Sequence, residues 1–86
     1  MPRFVIERNF AEQLELSDND KLQIKQVNDT EGVEWIFSFL SADKRKTYCL
    51  YEAPDADALR RAAEKLNIPA DVITPVDQID PGVFAA

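Results

Sequence analysis

Residues 33–54 read VEWIFSFLSADKRKTYCLYEAP: an apolar run, a charged tip, and a second run built around two tyrosines. Val33, Trp35, Phe37 and Phe39 alternate with Glu34, Ile36, Ser38 and Leu40, and a period of two held over that length fits a strand and no helix. The polar segment SADKRK then reads as a hairpin tip. TYCLYE resumes as a strand, with Thr47, Cys49 and Tyr51 on one face and Tyr48, Leu50 and Glu52 on the other. The two strands are expected to pair antiparallel. Both sides of the first are apolar, because the odd positions carry three large aromatics while the even side still holds Ile36 and Leu40. A strand with one face in water does not look like that.

Working outward, RFVIERN at residues 3–9 reads as a strand, with Phe4, Val5 and Ile6 closed by polar residues. A connection through Leu14 and Leu16 leads to SDND, where Ser17 with Asp20 three residues later is a helix cap whose acids suit the positive end of the helix dipole. A helix from about Asp18 to Asp29 is expected, although Leu22, Ile24 and Val27 fit a 3.6-residue period poorly. Gly32 ends the connection to the aromatic strand. Further on, Asp55 caps a second helix with Leu59, Ala62, Ala63 and Leu66 at i, i+3, i+4 and i+7, which stops before Pro69. DVITPV at residues 71–76 supplies a last strand. Pro75 cannot donate a ladder hydrogen bond and belongs on a sheet edge.

The order β-α-β-β-α-β predicts a single domain over residues 1–86 of the α+β class: a ferredoxin-like, four-stranded antiparallel sheet with two helices on one face. The first and third strands are expected in the centre, the second and fourth at the edges. Three aromatics of about 150–250 Å² each would exceed the apolar patch a monomer leaves bare. Two copies are therefore expected to pack sheet to sheet about a twofold axis, as a dimeric α/β barrel with a cavity between the sheets.

Composition narrows the function. An 86-residue chain lies near the lower limit for a core that stands alone. With 10 basic and 16 acidic side chains the net charge is -6, which repels phosphate backbones and anionic lipid surfaces, so neither nucleic acid nor membrane is an expected partner. No run approaches a membrane span, and MPRFVIERNF puts charges where a signal peptide needs its apolar core, so the expected location is the cytoplasm. The single cysteine, Cys49, agrees with a reducing compartment. The chain has no histidine, which removes both the usual general base near neutral pH and the commonest transition-metal ligand; no cofactor and no metal site are expected.

With FVIERNF near the start, GVEWIFSFLSADKRKTYCLYEAPDADALRRAAEKLNIPADVI through the middle and DP near the end, the chain resembles a family of small bacterial ferredoxin-like proteins, mostly of unknown function, named for a nickel-binding member. The resemblance covers most of the chain. Its combination of Trp-x-x-Ser, Cys-x-x-Glu-Ala-Pro and a downstream Pro-Ala-Asp is moderately specific, and it implies a dimeric α/β-barrel protein. Where relatives tend to carry histidine, this chain has Phe37 and Ala62, so the resemblance does not bring nickel binding with it.

The candidate site is the lining of a cavity for a small apolar or aromatic molecule, formed by Trp35, Phe37 and Phe39 with Tyr48, Tyr51 and Glu7. Core or interface packing accounts for the aromatic row equally well. A cofactor-independent enzyme of the dimeric α/β-barrel kind is the alternative, by analogy of fold alone, and would need Glu7, Tyr48 or Tyr51 as acid or base inside the cavity. Cys49 and Glu52, three apart on a strand, point to opposite faces and make a poor metal pair, so Cys49 reads as a small buried hydrophobe. Glu7 and Glu52 close neighbouring strands and could meet at one end, sharing a cation, although solvated strand ends explain them as well. Asp18 to Asp20 lacks the glycine and the twelfth-position glutamate of a calcium loop. Lys44, Arg45 and Lys46 read as a solvated turn. An RNA-recognition reading of the third strand fails, because Tyr48 and Tyr51 face opposite ways.

Overall fold

Strands β1 (Arg3–Asn9), β2 (Glu34–Leu40), β3 (Lys46–Glu52) and β4 (Val72–Val76) pair into one antiparallel sheet in the order β2-β3-β1-β4, as the sequence predicts. The computed structural model describes residues 1–84, which also form helices α1 (Asp18–Glu31) and α2 (Ala56–Leu66) and a short 3-10 turn at Pro81–Phe84. Pro75 lies on the edge strand β4, opposite Phe4.

Both helix starts are set by side chains that replace missing backbone acceptors. At α1 the Ser17 hydroxyl accepts from the Asp20 amide at 3.1 Å and the Asp20 carboxylate accepts from the Ser17 amide at 3.0 Å, a reciprocal capping box. Those bonds hold the Asp20 carboxyl below the usual carboxylate range. Gly32 ends α1 at φ 71°, a left-handed conformation that glycine adopts without a Cβ penalty. At α2 Asp55 accepts from the Ala58 amide at 2.8 Å, and Asn67 ends the helix at φ 54°.

The helices differ in how they meet the sheet. Ala58, Leu59, Ala62 and Ala63 of α2 are buried, and the three alanines let its backbone lie close over Phe4 and Ile6. On α1 only Asn28 is buried, while Ile24 and Val27 are half-buried and Leu22 is exposed. The poor apolar period of α1 thus corresponds to a helix that stands off the sheet. It is tied laterally to α2, where Glu31 accepts from Arg61 at 3.1 Å and from Lys65 at 2.6 Å.

The hairpin register corrects one expectation. Trp35 pairs with Tyr51, but Phe37 pairs with Leu50, so Ile36 is an extra residue without a partner on β3. A β-bulge of this kind resets the alternation of faces. Trp35 therefore points to the helix side with Tyr51, whereas Phe37 and Phe39 point to the open side with Leu50 and Tyr48. Trp35 Nε1 donates to Ser38 Oγ at 2.8 Å, a bond between residues three apart that needs the bulge to place both on one face. A second correction concerns Glu7 and Glu52. Antiparallel pairing sets Glu7 opposite Tyr48 and Glu52 opposite Arg3, at opposite ends of the strands, so the two carboxylates do not meet.

Candidate functional site

The six residues marked in the sequence divide between two surfaces. Phe37, Phe39, Tyr48 and Glu7 lie on the open sheet face, and Trp35 and Tyr51 lie beneath the sheet. The open face has a bare aromatic centre. Phe37 and Phe39 are 48% and 64% exposed, with ring centroids 5.4 Å apart in an edge-to-face arrangement, and Val5 and Leu50 continue the surface across the central strands. Its charges sit towards the strand ends, in pairs. Arg3 meets Glu52 at 3.2 Å, and Lys46 meets Glu7 at 3.3 Å while standing 5.0 Å from the Tyr48 ring centre. Tyr48 first and Glu7 second hold the Lys46 ammonium above its ordinary pKa.

Beneath the sheet the standing-off of α1 leaves a cavity of about 160 Å³. Its floor is the helix side of β2, β3 and β1, with Trp35, Ser38, Thr47, Cys49, Tyr51 and Arg8; its walls are Ile24 of α1 and Ile68 after α2. A strap from Phe10 to Leu16 closes one side, fastened to the hairpin tip by the Phe10 and Leu14 amides, which donate to the carbonyls of Arg45 and Lys44 at 2.7 Å each. The lining is mostly apolar with a few placed polar groups, the composition of small-molecule pockets. Arg8 is 5% exposed, donates from Nη1 to the Pro69 carbonyl at 2.6 Å, and places its guanidinium carbon 5.9 Å from the centre of the Tyr51 ring. Burial pushes the Tyr51 phenol above its ordinary pKa, and the Arg8 charge acts in the opposite direction. Thr47 Oγ1 is buried without a hydrogen-bond partner. Cys49 is a buried free thiol.

Arg8, Thr47 and Ser38 were not singled out from the sequence. The signal for Arg8 was available, since FVIER places an arginine two residues beyond Ile6, in the alternation that buries Phe4 and Ile6. The signal for Ser38 was a lone hydroxyl in the middle of an otherwise apolar strand.

Among the described residues no group of three or more cysteine, aspartate or glutamate side chains is close enough to hold a metal ion, and no helix is long and apolar enough to cross a membrane. Sheet order, antiparallel pairing and two helices on one face define a small ferredoxin-like protein of the α+β class. The family described as nickel responsive protein SCO4226-like matches residues 4–76, and the chain belongs to that SCO4226-like family. The crystal structure of SCO4226 from Streptomyces coelicolor A3(2) superposes with a TM-score of 0.75 at 23% identity, over 91% of this chain and 99% of that one, and shares its fold. Among curated proteins none matches the chain.

Proposed function

We propose that the chain, as one domain over residues 1–86, is a cytoplasmic homodimeric binding module. Two copies pack open face to open face, and a small apolar or aromatic molecule occupies the space between their sheets, against Phe37, Phe39, Tyr48 and Glu7. The observation that carries this reading is the bare aromatic centre framed by satisfied ion pairs. Water gains nothing from contact with those rings, and a twofold partner removes them from it without stranding a charge.

Light scattering at micromolar concentration tests the assembly, with a dimer expected. Phe37→Glu is expected to be folded by circular dichroism and monomeric, because the dimer would bury an unpaired carboxylate. A wild-type chain that stays a well-ordered single subunit overturns the dimer. Thermal denaturation with apolar and aromatic metabolites tests the ligand. A ligand at a hundredfold excess over its Kd should raise the melting temperature by about 10 °C in the wild type. It should do nothing in the monomeric variant.

A further inference from the structure

We propose that the cavity beneath the sheet is a second and separate binding site, for a small apolar monocarboxylate whose charged end rests on Arg8 and whose tail lies among Leu14, Leu16, Ile24, Leu40 and Ile68. The first support is an unbalanced charge. Arg8 is nearly as buried as the core, yet among the described residues no carboxylate lies within ion-pair distance of it, in a chain that carries 16 acidic side chains. The Pro69 carbonyl and the Tyr51 side chain offset part of the desolvation of a guanidinium, and neither carries the negative charge that would balance it. A site with an internal partner for this charge would have put one of those carboxylates there.

The second support is independent of the first. Thr47 Oγ1, in the same cavity, is buried and has no partner, and the Ser38 hydroxyl accepts from Trp35 and so retains its own proton to donate. Arg8, Ser38 and Thr47 therefore all belong to the lining of a largely apolar chamber, with the Thr47 hydroxyl covered and unpartnered at its edge. The complement of such a set is a planar anionic oxygen pair, which a guanidinium can bind through two parallel hydrogen bonds. The remainder of the lining selects among anions, because alkyl walls suit an apolar tail and give the further oxygens of a phosphate or sulfate nothing to bond. Size sets the scale. A cavity of about 160 Å³ is close to the roughly 150 Å³ apolar cavity that takes up benzene, which points to a ligand of about six to eight non-hydrogen atoms. Every lining residue belongs to one chain and lies on the far side of the sheet from Phe37, so this site does not depend on the dimer.

Trp35 is the only tryptophan and lines the cavity, so its fluorescence reports occupancy directly. The test is a titration of the wild-type protein with hexanoate and with hexanamide, which has the same length and shape and no charge. Saturable change with hexanoate, at least about tenfold tighter than with hexanamide, is expected. Arg8→Met keeps an apolar stem in place of the charge and should bring the two affinities together; Thr47→Val should weaken hexanoate without lowering the melting temperature of the unliganded protein, since it removes a hydroxyl that nothing satisfies. Phe37→Glu should leave hexanoate binding intact. Equal wild-type affinities for the two compounds, or no saturable change with either at millimolar concentration, would overturn the proposal whether or not the Arg8 variant folds. Loss of hexanoate binding in a folded Phe37→Glu would also overturn it, by assigning the ligand to the space between the sheets.

Discussion

On the open face of the sheet the charges are paired and the centre is bare; under the sheet the centre is half enclosed and its one guanidinium has no carboxylate. The two surfaces use the same strands in alternate positions, Val5, Leu50 and Phe37 outward, Ile6, Cys49 and Trp35 inward. Their difference shows what each is missing. Ion pairs such as Arg3 with Glu52 need no partner molecule, so the outer face lacks only apolar cover. Arg8 and Thr47 are already buried, and what is missing there is a carboxylate for the one and any partner for the hydroxyl of the other. A sheet that is complete on neither side is consistent with two kinds of occupant.

The bulge at Ile36 sets which residues of β2 face each surface, and adding one more residue beyond it, an alanine between Phe37 and Ser38, is the largest perturbation expected. With it, Ser38 and Leu40 turn outward and Phe39 turns toward the helices, or the strand must form a second bulge, and the Trp35 to Ser38 hydrogen bond is lost. A loss of about 3–5 kcal/mol is expected, on the scale of removing a large buried side chain. For a domain whose total stability is of the order of 0.1 kcal/mol per residue, that is a large share of the whole. Urea unfolding measures it, and an insertion within about 1 kcal/mol of wild type would show that the register beyond the bulge does not hold the division.

Adjacent residues on β1 sharpen the comparison. Ile6 is fully buried under the helices, so Ile6→Ala is expected to cost about 2–5 kcal/mol at every protein concentration. Val5 faces outward, so Val5→Ala should cost less, and its cost should shrink on dilution if the proposed dimer gives way to monomer. Melting curves over a wide concentration range separate the two. If Val5→Ala behaves like Ile6→Ala, the outer face is stabilised within the single chain and the distinction between the faces fails.

Much of the frame was legible because it rests on local rules. Ser17 with Asp20, Asp55, and the alternation of Thr47 to Glu52 mark helix starts and strand faces without any tertiary information, and the first strand is found where it was read, at Arg3–Asn9. The division of the aromatic row was not legible from counting by twos, because that count assumes an unbroken pleat, and one inserted residue inverts every later side chain. The Trp35 and Ser38 spacing carried the information, but only a hydrogen bond on a known face gives it meaning. The cavity was concealed for a related reason. A weak apolar period on α1 reads as uncertainty about the helix, whereas its ends are firmly capped and the weakness records how little of it presses on the sheet. Glu7 and Glu52 were brought together only by overlooking that antiparallel neighbours run in opposite directions.

The smallest effect expected concerns the link that holds the standing-off helix in place. Glu31, at the end of α1, takes hydrogen bonds from Lys65 and Arg61 of α2, and these hold its carboxyl below its ordinary value of 4.5. A carboxyl whose pKa is lower folded than unfolded contributes stability that is fully present above about 4.5 and disappears as the pH falls through the folded value. Glu31→Gln should therefore melt below the wild type at neutral pH and converge with it in acid, and added salt should narrow the gap because the Arg61 and Lys65 ends of the fork are about half exposed. The same gap is expected in the Phe37→Glu background, since the fork lies on the helix side and owes nothing to the dimer. A difference that persists unchanged through acid pH would mean that Glu31 holds α1 by packing and not by charge, and the α1 wall of the cavity would then be fixed in a different way.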